Sequence, residues 1–356
     1  MQRIRSLVTL AFILAFAAPA ASFAATFCVG TASELQNALN IAGHNGVDDY
    51  ILLQQGSFSA ATPASAEADF HLAVMDGMEL TLRGGWTTGC GGLRRVAERT
   101  RFLPGAGRRA LNIVFPTGGT PNIVWLENIE FAQEGAEGAD LASCAIDVSG
   151  KPRLGLFNLR FRGIDCPSGS LLRLSGPSGG SLFVGNVEFS DNRSADPLLV
   201  VEAGSGLAYS RWVHLTLAYN TITGSDLLLH HRDPDSEITF ENSVVWGNQL
   251  QAHAGGYRQI ELGQQPNAVI RFNRLQAVSP RVPHLVWGNT VGDPGFEDGP
   301  RPRPRADSAL RNGGQMTDYT DYYVYFDLQG HPRMQEGSVD IGAYEYLPPL
   351  FADGFE

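Results

Sequence analysis

Val184-Gly-Asn-Val-Glu-Phe-Ser-Asp-Asn192, Trp212-Val-His-Leu-Thr-Leu-Ala-Tyr-Asn220 and Phe240-Glu-Asn-Ser-Val-Val-Trp-Gly-Asn248 align one below another without a gap. Val124-Trp-Leu-Glu-Asn-Ile-Glu-Phe131 and Gly155-Leu-Phe-Asn-Leu-Arg-Phe161 continue the alignment upstream. Asn128, Asn158, Asn186, His214 and Asn242 then share one column, separated by 30, 28, 28 and 28 residues. A second column holds Asn192, Asn220 and Asn248, again 28 apart. Phe272-Asn-Arg-Leu-Gln276 reads as one more turn, its register slipped by about three residues. A period of this length marks a repeat architecture.

Each period carries a second apolar stretch: Ala145-Ile-Asp-Val148, Leu171-Leu-Arg-Leu174, Leu198-Leu-Val-Val-Glu202, Leu227-Leu-Leu-His230 and Gln259-Ile-Glu-Leu262. These stretches are short, β-rich and bounded by Gly, Pro, Ser and Asp, which reads as strands between turns. No period between residues 110 and 276 leaves room for an amphipathic helix. The expectation is an all-β fold, a single-stranded right-handed parallel β-helix, in which each coil stacks on the last at ~4.8 Å. The asparagine columns then read as tight turns that accept left-handed backbone, with side-chain amides bonded from coil to coil.

A parallel stack leaves open ends that need covering. Thr31 and Glu34 form a T-x-x-E capping box, Leu35, Ala38, Leu39 and Ala42 share one helical face, and Gly43 follows. This predicts an N-terminal capping α-helix over the first coil, which begins with Tyr50-Ile-Leu-Leu-Gln54. Arg301-Pro-Arg-Pro-Arg305 reads as extended, charged chain rather than strand.

Residues 1–5 hold two arginines and no acid, Leu7 to Ala18 is apolar, and Ser22 and Ala24 stand at the minus-three and minus-one positions of a cleavage site. Residues 1–24 thus read as a secretory signal peptide. The apolar run is shorter than the ~20 residues a membrane span needs, and no transmembrane segment is expected in the mature chain. Removing residues 1–24 takes two of the 26 basic residues and none of the 37 acidic ones, leaving a net charge of −13. That balance argues against a nucleic-acid partner and against a polybasic membrane contact. Cys28, Cys90, Cys144 and Cys166 form an even set in an exported chain, which suggests disulfides. Three connectivities are open; the local one without nesting, Cys28–Cys90 and Cys144–Cys166, is favoured.

Several motifs resemble a known group. Thr26-Phe-Cys-Val-Gly-Thr-Ala-Ser-Glu-Leu-Gln-Asn-Ala-Leu39 and Leu82-Arg-Gly-Gly-Trp-Thr-Thr-Gly-Cys90 look like the start of secreted bacterial β-helix proteins of the pectin-lyase-like superfamily. Asp293-Pro-Gly-Phe296, Asp307-Ser-Ala-Leu-Arg-Asn-Gly313, Asp327-Leu-Gln-Gly-His-Pro-Arg333 and Val339-Asp-Ile-Gly-Ala-Tyr-Glu345 are similar to the choice-of-anchor Q region. Leu350-Phe-Ala-Asp-Gly-Phe-Glu356 resembles a short tail of exported proteins of Gram-negative bacteria. The resemblance divides the chain into a signal peptide (1–24), a β-helix with its cap (25–292), an anchor-type region (293–346) and a tail (347–356). It implies export and a place outside the cell or on its surface. It implies no reaction, because such folds serve lyases, hydrolases and non-enzymatic surface proteins alike.

The densest polar cluster is His230-His-Arg-Asp-Pro-Asp-Ser-Glu237. Glu202, His230, His231 and Asp233 are the catalytic candidates, with a histidine as acid or base near neutral pH. Asp233, Asp235 and Glu237 are candidate calcium ligands; no other cofactor is implied. The plainer reading makes Asp-Pro-Asp-Ser a turn and Asp147, Arg173, Glu202 and a histidine an outward ladder of alternating charge. Asp48-Asp49 reads as a solvated turn. Trp212, Tyr219 and Trp246 are candidates for stacking on sugar rings, with Tyr257, Tyr319, Tyr322, Tyr323 and Tyr325 further on. No catalytic motif of the pectinolytic hydrolases occurs. The favoured expectation is therefore a non-catalytic protein that binds an extracellular polysaccharide or a cell surface. The alternative is a polysaccharide lyase or glycoside hydrolase.

Overall fold

The computed structural model describes residues 24–75, 77–119, 122–133, 143–176, 179–202, 207–232, 236–251, 259–262, 268–276, 285–298, 301–317, 324–335 and 337–348. Most of the expected signal peptide, Tyr257, Tyr319, Tyr322, Tyr323 and most of the tail lie outside these residues. The chain forms a parallel β-solenoid of about eight turns. Every ladder between the named strands is parallel, and the coils build three sheets.

The longest sheet runs through Asp49–Gln54, Glu79–Trp86, Ile123–Ala132, Arg153–Arg162, Ser181–Ser190, Tyr209–Ala218, Glu237–Glu241 and Ala268–Arg271. The register reproduces the sequence period. Arg153 pairs with Ser181, Ser181 with Tyr209 and Tyr209 with Glu237, a step of 28 residues each time. Within one strand, alternation decides which side chains face inward. Leu154 and Leu156 are buried, as are their partners Leu182 and Val184. Phe102, Phe131, Phe161 and Phe189 stack in the interior with ring centroids 4.6–5.3 Å apart.

The two asparagine columns do different work. Asn128, Asn158, Asn186, His214, Asn242 and Phe272 all have φ between 50° and 57°. The first four are single left-handed residues inside a long strand, where ladder pairing skips them: Phe157 pairs with Gly185 and Leu159 with Val187. Asn242 and Phe272 each lie between two short strands. The strand turns a corner there, and in/out alternation restarts. The second column does not itself turn. Its left-handed residues are the preceding ones, Asp191, Tyr219 and Gly247. Asn192, Asn220 and Asn248 point inward instead and form a buried amide ladder. The Nδ2 of Asn192 donates to Oδ1 of Asn220, and that of Asn220 to Oδ1 of Asn248, both at 2.9 Å. Gln276 extends it by accepting from the Asn248 backbone.

The helix Ala32–Ala42 carries the expected capping box, with both reciprocal bonds present. Leu35, Ala38, Leu39 and Ala42 are buried in the main core, and the helix packs on Ala68–Ala73. Cys28–Cys90 and Cys144–Cys166 are both bonded. Among the described residues no helix is long and apolar enough to cross a membrane.

The region beyond residue 292 turns back along the long sheet. Phe296, Leu310 and Ile341 pack with Ala218, Val244 and Trp246. Arg333 and the carbonyl of Phe326 bond the side chain of Asn186. Gln315 exchanges two hydrogen bonds with the side chain of Asn242, and Ala343 N–H donates to Thr216 Oγ1 at 2.8 Å. The corner column is thus the seat of the C-terminal segment.

Candidate functional site

Before its corner, each strand of the long sheet presents alternate side chains outward. One outward column is Thr81, Trp125, Gly155, Phe183, Arg211 and Thr239. The column two residues earlier holds Glu79, Ile123, Arg153, Ser181, Tyr209 and Glu237. Gly155 has a steric reason: a Cβ there would lie 1.9 Å from the Trp125 ring, which therefore lies across the glycine. The Trp125 centroid is 5.6 Å from Phe157 and 6.3 Å from Phe183, and Phe183 is 5.1 Å from Tyr209. Trp125, Phe183 and Tyr209 are each half-buried, so one part of each ring meets solvent. Together with Ile123, Arg153, Leu154 and Ser181 they line a shallow hollow.

The rim of this hollow is polar. Trp125 donates its indole N–H to Glu79 at 2.8 Å, which fixes the ring. The Arg211 guanidinium stands 5.9 Å over the Tyr209 ring and pairs with Glu237 at 3.4 Å. Arg153 has no ion-pair partner among the described residues. Beyond Phe157 and Gly185, Val324 of the C-terminal segment makes a wall.

The catalytic candidates chosen from sequence lie elsewhere: Glu202 and His230 both bond Arg232, while His231 faces inward. His230 and His231 are consecutive strand residues, so they face opposite ways. His231 is fully buried against Trp212, 6.2 Å between ring centroids, and is closed to any substrate. His230 is outward, its Nδ1 accepting from Arg232 at 3.2 Å and its Nε2 3.9 Å from Glu261. Glu202 is held by Arg173 at 3.2 Å and Arg232 at 3.1 Å. The column that pairs Asp147, Arg173 and His230 contains Val200, not Glu202, which joins the ladder diagonally. Asp233 and Asp235 lie outside the described residues. Glu237, the remaining calcium candidate, is exposed and paired with Arg211.

The aromatic candidates need similar correction. Trp212 is fully buried, its indole N–H donated to Ser210 Oγ, because it shares the inward column of Leu126, Leu156 and Val184. It cannot stack on a sugar. Trp246 is partly covered by the C-terminal segment. Tyr219 is 44% exposed but leans edge-on against Phe296 at the left-handed corner. Tyr325 is 63% exposed. Trp125, Phe183 and Tyr209 are half-buried rings on the outward face, and parity within the repeat places them there: Trp125 lies between inward Val124 and Leu126.

After the corner, a buried ionic network lies under the C-terminal segment. Arg160 and Glu188 are at most 1% exposed; Arg160 bonds Glu188 at 3.0 Å and Glu130 at 3.4 Å. The Tyr344 hydroxyl bonds both Glu188 and Arg160. Burial and the Glu188 carboxylate push the Tyr344 phenol well up. Burial likewise drives the His214 imidazole well down, with the Arg333 charge adding to it. Arg160, Glu130, Glu188 and Tyr344 bond one another, so their geometry is that of a clamp rather than of a substrate site. Among the described residues no group of three His, Cys, Asp or Glu is placed to hold a metal.

Comparison of the chain with protein-family models, with curated proteins and with solved structures finds no match in any of the three.

Proposed function

We propose that this protein is a secreted or cell-surface right-handed parallel β-helix, related to the pectin-lyase-like proteins, that binds an extracellular glycan without cleaving it. The observation that carries this reading is the outward aromatic run Trp125–Phe183–Tyr209 on a rigid sheet. A sugar ring presents an apolar C–H face that packs on an aromatic face, while its hydroxyls bond polar neighbours. The Trp125 and Phe183 ring centroids are 6.3 Å apart and those of Phe183 and Tyr209 5.1 Å, a continuous aromatic strip on which a sugar ring would pack. Arg153, Ser181, Glu79 and Glu237 would meet its hydroxyls. The helix Ala32–Ala42 covers the first coil, residues 1–24 act as the export leader, and residues 293–346 form the anchor-type region followed by the tail 347–356. Two disulfides suit an oxidising, extracellular place.

The alternative, a polysaccharide lyase or glycoside hydrolase, retains Glu202, His230 and Asp233 as acid–base candidates but has lost His231. One experiment separates the two. Residues 25–356 are incubated with a panel of neutral and acidic polysaccharides, with and without calcium, and both retention and chain shortening are followed. Retention on one glycan without shortening is expected, weakened roughly 10-fold or more in Trp125→Ala. Cleavage lost in Glu202→Gln or His230→Ala overturns the binding-only reading, and calcium dependence would point to Asp233, Asp235 and Glu237.

A further inference from the structure

Asp49 opens the strand Asp49–Gln54, which pairs with Thr26–Val29 at one edge of the long sheet. It is not the solvated turn residue its neighbours suggest: it is 1% exposed. Its Oδ1 accepts from the backbone N–H of Ala25 at 2.6 Å and its Oδ2 from the Asn45 side-chain amide at 2.6 Å. The Tyr50 N–H donates to the Ala25 carbonyl at 2.9 Å, so both backbone groups of Ala25 are held. Among the described residues Asp49 makes no ion pair. Two neutral donors compensate a buried carboxylate poorly; a cation at hydrogen-bond distance would do so better.

The missing cation has a source in the chain itself. Ala25 is the residue that follows the expected leader cut, and Ala24 before it is exposed. We propose that hydrolysis of the Ala24–Ala25 bond turns the Ala25 nitrogen into an α-ammonium that ion-pairs with Asp49, so that removing the leader completes the first strand pair. Water adds across the peptide bond. The acyl carbon of Ala24 takes the hydroxyl and leaves as a carboxylate, and the Ala25 nitrogen takes the protons and becomes –NH3+. The nitrogen stays in place, and one of its protons already points at Oδ1. An α-amino group has an ordinary pKa of about 7.7–8.0, and an adjacent carboxylate favours its charged form. Before the cut Asp49 binds an amide; after it, an ammonium. This inference rests on the export reading of residues 1–24 and is independent of the glycan reading.

The test uses the exported protein. N-terminal sequencing is expected to start at Ala25; any other start overturns the export reading on which the inference depends. Lys151 is the only lysine, so Lys151→Arg leaves the α-amino group as the sole amine, and amine-selective acetylation then removes that charge while keeping an N–H. Acetylation is expected to lower the thermal midpoint by roughly 2–5 °C. A chain carrying Gly-Ser before Ala25 should behave like the acetylated protein. In an Asp49→Asn background, a near-isosteric change, the difference should vanish. Equal midpoints before and after acetylation, or a difference that persists in Asp49→Asn, overturn the ion pair. The acetylation comparison on the unsubstituted carboxylate does not depend on the variant folding.

Discussion

Glu345 is buried beside Arg333, which donates to it at 2.7 Å, and beside Asp340. Burial raises its carboxyl from 4.5 to about 8; Arg333 opposes the rise and the Asp340 charge adds to it. At acid pH the group is neutral in both folded and unfolded chains. As pH rises from about 4.5 to about 8, the unfolded chain loses a proton that the folded chain keeps. Stability from this group is therefore full below the lower value and lost as pH passes the upper one. The expected result is a fall in thermal midpoint across that window which Glu345→Gln flattens, read by melting curves at a series of pH values. The cysteines allow a second prediction. Cys28 is exposed and Cys90 half-buried, whereas Cys144 and Cys166 are buried. A mild thiol should reduce Cys28–Cys90 in the folded protein and spare Cys144–Cys166, since exchange needs access to sulfur. Alkylation followed by peptide mass analysis reads which pair opened first.

The coil is the element on which stability depends, and its amide ladder is the sharpest place to test that. The Asn220 side chain accepts from Asn192 and donates to the Phe189 carbonyl and to Asn248. Asn220→Ala leaves buried donors and acceptors without partners and should cost roughly 1–3 kcal/mol, measured by denaturant unfolding. The period of 28, the strands and the left-handed corners of the first asparagine column were legible in the sequence, because repetition puts similar residues at the same bend in successive coils. The inward set of Asn192, Asn220 and Asn248, one residue past the left-handed position, was not. Gln276 stands one full period after Asn248 and takes its place at the ladder's end, although the segment 272–276 reads as slipped by about three residues. What a period alone does not show is depth. Trp212 and Trp125 are both aromatic residues in repeat strands, yet one position of alternation sends the first inward and the second out. The second sheet keeps a less even step, 27 residues from Leu172 to Leu199 but 30 from Leu199 to Leu229, so a count of 28 from His230 reaches Glu202 while the ladder partner is Val200.

On the scale of the whole molecule, the C-terminal segment is part of the folded body. Its motifs suggested an anchor, and nothing in their composition reveals that Tyr344 reaches Glu188 or that Arg333 reaches Asn186. Such contacts join residues far apart in sequence, with no periodic signal to betray them. Tyr344→Phe removes a hydroxyl shared by two buried charged groups and should cost about 1–3 kcal/mol, with far-UV circular dichroism unchanged and the unfolding midpoint lowered. A variant as stable as the parent would mean that Arg160 and Glu188 satisfy each other unaided.

That segment also bears on time as well as energy. Stacked coils touch their neighbours, so a chain emerging N-terminus first can assemble them in order as each new strand pairs with the one before. The last stretch cannot join in until its distant seats exist: it meets Asn186 from 147 residues away and Arg160 from 184. Its docking is then the final event, and it ties coils that would otherwise unzip one at a time from an open end. Unfolding that begins by releasing that tie makes the persistence of the folded chain a matter of an unfolding rate.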